Sequence, residues 1–223
     1  MSEEENMLVE TKLYLQTGSH IGAKFKTVGM RKFIFKNRKD KLKVLDVATI
    51  DERLRIAAQF LASFNPKDIV VVSRKQYGQK PAEKFAKLTG SRALTGRFVP
   101  GTFTNPTGKE FLQPKVVLVT DPDSDAQAIT EARGIRIPII ALCSTDDETR
   151  NLDLIVPVNN KGRQSLALVY WVLTREFLKH KSTIASNGEF KESLQDFEFQ
   201  LKEEKKEGKT GERRDLEEVT ADE

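Results

Sequence analysis

Three carboxylates lie where enzymes with open α/β sheets bind their ligands. The run VVLVTDPDSD places Asp121, Asp123 and Asp125 directly after an apolar segment that is typical of a buried strand. In such sheets ligands bind outside the carboxyl ends of the strands, and carboxylate oxygens are ligands that Mg²⁺ prefers. With His20 as a general base, these residues would suit a nucleotide- or metal-dependent enzyme.

A structural role for the same acids is the stronger interpretation. Pro122 fixes a turn, and Asp125 can cap the helix that follows. The chain contains neither a G-x-G-x-x-G nor a G-x-x-x-x-G-K-[ST] motif, so no phosphate-binding loop accompanies the acids. We therefore expect a turn and a helix cap here, and the enzyme remains the alternative hypothesis.

Other candidate groups for catalysis have less support. Cys143 ends an apolar run and is expected to pack as a small core residue. One cysteine and two histidines are too few for a zinc cage built by the protein alone. His20 has no acidic neighbour in the sequence, which favours a structural or RNA-contacting role over catalysis. The sequence thus predicts no catalytic residue, no metal and no cofactor.

The strongest functional signal is a cationic segment near the N-terminus. From Lys12 to Lys43 the sequence holds ten basic residues and one acid, Asp40. Cationic side chains neutralise phosphates and release counterions, so this segment is expected to bind RNA. The candidate contacts are Lys24, Lys26, Arg31, Lys32, Lys36, Arg38 and Lys39.

Phenylalanines are interleaved with these cations at positions 25, 33 and 35. Alternation along a predicted strand at residues 33–36 places Phe33 and Phe35 on the same face, so we expect at least one of them to pack in the core. A ring that stays exposed could stack on an RNA base. The sequence leaves open whether one does.

A second candidate RNA surface is the run RFVPGTFTNPTGK, residues 97–109. It combines cations and hydroxyls with glycines, which let backbone amides approach phosphate. No RNP1 or helix-turn-helix pattern is present, so the expected target is folded RNA rather than a short base sequence. The candidate contacts are Arg97, Thr102, Thr104, Asn105 and Lys109.

The net charge conceals a strong asymmetry along the chain of 223 residues, whose formal charge is +4. Residues 187–223 hold 13 acids and 7 bases, and residues 1–10 hold four acids and no base, so the balance of residues 11–186 is +14. A body with such a field attracts polyanions. A merely solubilising surface would explain the total charge, but not the concentration of bases in one segment.

Composition also bears on the cellular compartment. No apolar run approaches the roughly 18 residues that span a bilayer, and the acidic N-terminus lacks the basic region of a secretory signal. A single cysteine excludes a disulfide within the chain. We therefore expect a cytoplasmic protein that does not enter a membrane.

The elements that position these residues alternate between strands and helices, which indicates an α/β fold with right-handed crossovers. Apolar runs without polar alternation suit a parallel sheet. They predict strands at residues 69–72, 116–119, 137–142 and 154–158. Helical periodicity predicts helices beginning near Thr49, Pro81, Asp125 and Gly162, and a shorter one at residues 8–17.

Local motifs refine these boundaries. The polar NRKDK turn predicts a hairpin between strands at residues 33–36 and 42–46. Thr49 and Glu52 form a capping box at the start of a helix, and Pro81 suits the first turn of another. Residues 95–113, rich in glycine, proline and threonine, are expected to form a long exposed loop.

The ends of the chain differ in composition from the body. We expect a disordered acidic N-terminus at residues 1–7, an α/β domain at 8–186, an amphipathic tail helix at 187–204 and a disordered acidic tail at 205–223. An isolated helix of this length is marginal in water. We therefore favour an external partner for its apolar stripe over docking on its own body. The stripe consists of Phe190, Leu194, Phe197 and Leu201.

Two long ordered signatures resemble one known family. LYLQTGSHIG, residues 13–22, resembles the N-terminal signature of the small ribosomal subunit protein S2 family, and PKVVLVTDPDSDAQAITEARGIRIP, residues 114–138, resembles its second signature. RFVPGTFTNP resembles the loop between them. The likeness runs almost continuously from about Leu13 to Leu178, and the absence of a long insertion before Pro114 favours the archaeal branch, which is close to the eukaryotic laminin-receptor-like proteins.

The resemblance implies a flavodoxin-like parallel sheet flanked by helices, with a basic N-terminal hairpin lobe and a charged C-terminal tail. It also implies a structural role in the small ribosomal subunit, bound to small-subunit rRNA and neighbouring ribosomal proteins near the head–body junction, as a monomer without a small-molecule substrate. Two hypotheses remain as rivals: the nucleotide- or metal-dependent enzyme, and a cell-surface or scaffold protein that binds other proteins through its tail.

Overall fold

The computed structural model describes residues 7–200. Its strands are β1 (Ile34–Asn37), β2 (Lys43–Leu45), β3 (Ile69–Ser73), β4 (Arg92–Thr95), β5 (Val116–Val119), β6 (Ile139–Cys143) and β7 (Leu154–Pro157). Its helices are α1 (Thr11–Gln16), α2 (Val47–Ala62), α3 (Gln76–Thr89), α4 (Ala126–Gly134), α5 (Arg163–His180) and α6 (Leu194–Phe197).

Five strands form a parallel sheet in the spatial order β4–β3–β5–β6–β7. If the five strands are numbered 1–5 along the chain, starting from β3, their spatial order is 2-1-3-4-5, which is the order of flavodoxin-like folds. Val71 of β3 pairs with Ala93 on one side and with Leu118 on the other. Every residue of β3 is buried, as the unbroken apolar run predicts. The predicted α/β parallel sheet is confirmed.

Helices cover both faces of this sheet. α3 joins β3 to β4 and α4 joins β5 to β6, and these connections move across the sheet in opposite directions. Right-handed crossovers therefore place α3 and α4 on opposite faces. α5 packs against both α2 and α3, and the Phe85 ring of α3 meets the rings of Tyr170 and Phe177 of α5 at 6.0 and 6.1 Å.

Two predicted helix starts are wrong. α2 begins at Val47 rather than Thr49, and Asp46 occupies the N-cap position. The Thr49 hydroxyl donates to the Asp46 carboxylate at 2.6 Å, and Asp46 makes no side-chain cap hydrogen bond of its own.

α3 begins at Gln76, so Pro81 lies inside the helix rather than in its first turn. The early start is a consequence of packing. A Cβ on Gly78 would lie 2.7 Å from the side chain of Thr120, which directly follows β5, so this first turn sits directly against the sheet. Pro81 cannot donate a helical hydrogen bond at its interior position.

The segment between β4 and β5 is folded rather than fully exposed. Strand β4 was not predicted, because its alternating RALT sequence lacks an apolar run. After it, the rings of Phe98 and Phe103 pack at 5.1 Å. The Glu131 carboxylate of α4 accepts hydrogen bonds from the amides of Gly101 and Phe103 at 2.7 and 3.1 Å. Burial opposes the charge of Glu131, but these bonds outweigh it and lower its pKa.

The predicted hairpin is confirmed as the antiparallel pair of β1 and β2. The expectation that Phe33 and Phe35 share a face is wrong. Phe33 belongs to a short 3₁₀ turn before β1 and is buried, whereas Phe35 is exposed. The prediction that at least one of these rings packs in the core is correct.

The C-terminal stripe packs on the protein's own body, contrary to the expected external partner. The Phe197 side chain is fully buried, and Phe190 and Leu194 pack against the core. The Trp171 indole N–H donates to the Glu192 carbonyl at 2.8 Å. Leu201 lies outside the described residues. The tail helix predicted at residues 187–204 is replaced, up to residue 200, by a 3₁₀ turn and the single turn of α6.

The remaining predictions for the termini fall mostly on residues that the structure does not describe, namely 1–6 and 201–223. Met7 was grouped with the N-terminal tail but packs, partly buried, against the core. The disordered acidic tails stay predictions.

Candidate nucleic-acid interface

The cationic segment folds into a small β-structure that we call the N-terminal lobe, residues 18–46. β2 lies in its middle, with β1 on one edge and residues 21–23 on the other. Ile21 bridges to Val44, and the Gly22 amide donates to the Lys43 carbonyl at 2.8 Å. The lobe thus has its own backbone hydrogen-bond network, which holds the intervening cationic loops.

The lobe is fastened to the carboxyl end of the parallel sheet. The Thr145 hydroxyl, just beyond β6, accepts from the Ala23 amide at 2.8 Å and donates to the Phe25 carbonyl at 3.1 Å. The Thr27 amide donates to the Thr145 carbonyl at 2.9 Å. Beyond β7, Asn159 donates from its side chain to the Gly18 carbonyl at 3.0 Å. These contacts fix the lobe relative to the body.

One glycine makes this close approach possible. A Cβ on Gly22 would overlap with Cγ2 of Thr145 and would lie 2.8 Å from its hydroxyl oxygen. Any larger residue would therefore push the lobe away from the sheet. The GSHIG segment, residues 18–22, thus belongs to the part of the chain that docks on this end of the sheet.

The lobe contains the seven cations of the N-terminal segment that the sequence predicts as RNA contacts. Each of the seven side chains is exposed. Arg38 pairs with Asp40 at 3.4 Å, and within residues 7–200 it is the one member of the set with an ion pair. The other six charges have no acidic partner in that range and can meet phosphates. They belong to Lys24, Lys26, Arg31, Lys32, Lys36 and Lys39.

The predicted contacts of the second surface are only partly accessible. Thr102 does not qualify, because its side chain is buried and its hydroxyl donates to the Val99 carbonyl at 2.6 Å. The exposed candidates are Arg97, Thr104, Asn105 and Lys109. Of these, Asn105 uses its side-chain oxygen within the loop, where it accepts from Thr107 at 2.7 Å.

The two candidate surfaces are separate. Arg97 follows the edge strand β4, whereas the lobe docks beyond β6 and β7. Three strand spacings lie between β4 and β6, which is about 14 Å at roughly 4.8 Å per spacing. The structure therefore gathers the lobe residues into one surface but does not join the Arg97 loop to it.

The three aspartates of the enzyme hypothesis are not gathered into one site. Asp121 is buried and accepts from Lys75 at 2.9 Å and from the Asn160 side chain at 3.0 Å. Asp123 is exposed. Asp125 occupies the N-cap position of α4 but makes no side-chain cap. Within residues 7–200 no group of three histidine, cysteine, aspartate or glutamate side chains is placed to hold a metal.

Asp125 serves a different purpose from the predicted helix cap. Its carboxylate accepts the Arg74 amide at 2.9 Å, which ties the turn after β3 to the start of α4. Burial raises the pKa of Asp125 to about 6, and the nearby charge of Asp121 adds to the effect.

Two residues that the sequence analysis missed complete this buried network. Asn160, after β7, donates to the carboxylates of Asp121 and Asp147 at 3.0 and 2.6 Å. Burial raises the pKa of Asp147 to about 6. Both residues follow the carboxyl ends of predicted strands, and that position was the available signal. The carboxyl end of the sheet is thus filled by the chain's own polar groups after β5, and the lobe docks on it beyond β6 and β7.

The other candidate catalytic groups have structural contacts as well. A ring nitrogen of His20 lies 3.4 Å from the Tyr14 carbonyl. Cys143 is buried, and burial raises the pKa of its thiol.

Within residues 7–200, no helix has the length and apolar character that crossing a membrane requires.

Comparison with known proteins gives a consistent result. The family described as Ribosomal protein S2 matches residues 14–110 and 107–179. The small ribosomal subunit protein uS2 of Thermoplasma acidophilum is 49% identical over 198 residues, which cover 89% of this chain and 100% of that protein. The protein of the same name from Ignicoccus hospitalis is 48% identical over 197 residues, 88% of this chain and 93% of the relative. The protein of the same name from Saccharolobus solfataricus is 48% identical over 195 residues, which cover 87% of this chain and 84% of that relative.

Proposed function

Because the chain belongs to the ribosomal protein S2 family, we propose that it binds small-subunit rRNA through its N-terminal lobe as a structural protein of the small ribosomal subunit. The relatives that match over nearly their whole length are archaeal, so this chain is of the archaeal type. The match extends through the lobe and the sheet alike.

The observation that carries the RNA-binding proposal is the set of unpaired cations on a fixed support. Six exposed positive charges of the lobe have no ion-pair partner among residues 7–200. The lobe that presents them is fastened to the rigid sheet through Thr145 and Asn159. Cations held in place lose less freedom on binding than cations on a mobile tail. The expected binding mode is electrostatic docking onto shaped RNA.

The setting that we propose follows from the family. The protein lies near the head–body junction of the subunit, as a monomer in contact with neighbouring ribosomal proteins, in the cytoplasm. It contributes there to subunit assembly and translation. The exposed part of the loop at residues 97–109 is a second surface for rRNA or for a neighbouring protein.

No observation favours the enzyme alternative. Asp121 and Asp125 are engaged with Lys75, Asn160 and the Arg74 amide. A structural, non-catalytic protein accounts for this arrangement, because a ligand at these aspartates would have to displace the ion pair and the buried hydrogen bonds.

Charge reversal in the lobe tests the proposal. The full chain in which Lys24, Lys26, Arg31 and Lys32 are all replaced by Glu should co-sediment less with small subunits that lack the protein. The slope of log affinity against log salt should flatten by about 0.7–0.9 for each phosphate that the variant no longer neutralises. Unchanged affinity and slope in a folded variant would remove the lobe from the RNA interface.

A matched variant controls for total charge. Lys67, Lys87, Arg92 and Arg133 are exposed on the body outside the lobe, and replacing all four by Glu changes the net charge equally. This control should keep most of the affinity. An equal loss in both variants would indicate attraction by the whole body rather than a defined lobe surface.

A further inference from the structure

The N-terminal lobe carries the most exposed apolar side chains among residues 7–200. Val28, Phe25 and Phe35 are 89%, 79% and 74% exposed, whereas the other large apolar residues in that range reach at most 50%. Exposed apolar residues grouped in one small region mark a surface that a partner covers. Resting on the function proposed above, we propose that Phe25 and Phe35 are stacking platforms for unpaired bases of the bound RNA.

The backbone around Phe25 is fixed before any partner arrives. Its carbonyl accepts from the Thr145 hydroxyl at 3.1 Å, and the amides of Ala23 and Thr27 on either side donate to the hydroxyl and carbonyl of the same threonine. The ring therefore projects into solvent from a pinned segment. Such preorganisation reduces the ordering cost that a stacking contact must overcome.

Phe35 is exposed for a different reason, a β-bulge. Ile34 pairs with Leu45 and Lys36 pairs with Val44, so two steps along β1 oppose one step along β2 and Phe35 is the extra residue. Bulges redirect a side chain and are common beside functional sites. The bulge separates Phe35 from the buried Phe33 and turns its ring outward.

Charge complementarity identifies the partner as RNA rather than an apolar pocket of another protein. Lys24 and Lys26 flank Phe25 in sequence, and Lys36 follows Phe35; all three side chains are exposed. A protein pocket that closed over either ring would have to desolvate these cations or supply matching acids. An unpaired nucleotide offers both a flat base for the ring and a phosphate for the cation.

Leucine substitution separates stacking from general apolar contact. Phe25→Leu combined with Phe35→Leu keeps apolar side chains but removes both aromatic faces. We expect the full-length double variant to bind a single-stranded RNA oligonucleotide of mixed sequence about tenfold or more weakly than the wild type, since base–aromatic stacking contributes ~1–3 kcal/mol per base. Its affinity for the duplex of the same sequence and its salt slope should not change.

The same measurements distinguish this proposal from the one on which it rests. The four-Glu variant of the lobe should lose affinity for both single-stranded and duplex RNA, whereas the double leucine variant should lose it for single strands alone. Loss in the charge variant with wild-type binding by the leucine variant would overturn the stacking proposal and leave the function intact. Weaker incorporation of the leucine variant into subunits, without weaker RNA binding, would assign the rings to a protein neighbour and also overturn it.

A fluorescence experiment reports directly on the ring. In Phe25→Trp the indole fluorescence in excess of the wild type, whose tryptophan is Trp171, should be quenched when the single-stranded oligonucleotide is added, and not by the duplex. Phe60→Leu, at a partly exposed phenylalanine of α2, is the control substitution and should leave RNA affinity unchanged. Absence of quenching at saturating single-stranded RNA would contradict stacking on Phe25.

Discussion

The backbone amide of Ala23 donates a 2.8 Å hydrogen bond to the hydroxyl of Thr145. This bond joins the cationic lobe to the end of β6, across more than half of the chain. In flavodoxin-like folds that edge of the sheet is the usual place for a bound ligand. Here the lobe docks at that end of the sheet beyond β6 and β7, whereas the aspartates that suggested an enzyme lie after β5 and hydrogen-bond within the body.

Thr145→Val should loosen the lobe without changing the volume of the side chain. The substitution removes the partner of the Ala23 amide and of the Phe25 carbonyl. Leaving buried polar groups unsatisfied costs about 1–3 kcal/mol, so the free energy of unfolding in urea should fall by that amount. Amide exchange at residues 22–27 should accelerate more than exchange in the sheet.

Thr183→Val provides the comparison, because Thr183 is exposed and its hydroxyl makes no side-chain hydrogen bond in the described part of the chain. The free energy of unfolding of Thr183→Val should lie within about 0.5 kcal/mol of the wild-type value. Equal effects of the two substitutions would show that the Thr145 contacts do not hold the lobe.

Gly22→Ala should displace the lobe sterically. The added methyl group would overlap with the Thr145 side chain and approach the Lys43 carbonyl to 3.1 Å. Overpacking of this kind costs about 1–3 kcal/mol, measurable by thermal or denaturant unfolding. Gly134→Ala is the control, since a Cβ there meets no atom within 4 Å and alanine favours the helix. The prediction fails if Gly22→Ala is as stable as Gly134→Ala.

Asp125→Asn should change how stability depends on pH. Burial raises the pKa of Asp125 from its ordinary 3.8 to about 6, so between these values the folded state binds a proton more tightly than the unfolded state. Its contribution is therefore fully present below about pH 4 and is lost as the pH rises towards 6. Asparagine keeps an acceptor for the Arg74 amide but does not titrate.

The stability of Asp125→Asn relative to the wild type should accordingly increase from pH 4 to pH 7. At 1.36 kcal/mol per pKa unit, a shift from 3.8 to about 6 corresponds to about 3 kcal/mol, which is the upper limit of the gain. The gain should be smaller than this limit because the charges of Asp121 and Lys75 also act on this carboxylate. Urea unfolding at several pH values measures it. Asp123→Asn, at an exposed position, should keep the wild-type profile, and parallel profiles for wild type and Asp125→Asn would refute the prediction.

The parallel sheet was predictable because its strands are continuous apolar runs, and residues 69–72 and 116–119 needed no tertiary information. Strand β4 was missed because an edge strand is half exposed and its sequence alternates. The start of α3 was placed too late because proline is most common in the first turn of a helix, whereas the first turn here lies five residues earlier, where Gly78 packs against the sheet.

The cationic residues of the candidate site were predictable from the sequence, but the contacts that hold the lobe on the body were not. Counting charges identified the lobe and its exposed cations, since a dense run of lysine and arginine cannot be buried. The anchoring role of Thr145 and Asn159 was not visible, because each acts on residues more than 100 positions away in the sequence. Thr102 was misassigned because a hydroxyl in a polar loop gives no sign of whether it faces inward.

The C-terminal stripe was misjudged for a related reason. Its spacing gave the correct apolar face, but not the surface that covers it. That surface is formed by α5 and α3, which pack with α6, and the ring of Phe190 meets that of Trp171 at 5.8 Å. Two ion pairs strengthen the docking, Lys84 with Glu192 and Arg163 with Glu198.

Phe197→Ala should therefore destabilise the free protein, without any ribosomal partner. Phe197 is fully buried against the body, and truncation of a buried phenylalanine costs about 3–5 kcal/mol. Phe25→Ala, at an exposed ring, should change the free energy of unfolding by no more than about 0.5 kcal/mol. In the free wild-type chain, amides near α6 should exchange slowly, and Phe197→Ala should abolish that protection. Rapid wild-type amide exchange at residues 190–197, or equal stability of the two alanine variants, would contradict docking on the body and would support an external partner for the stripe.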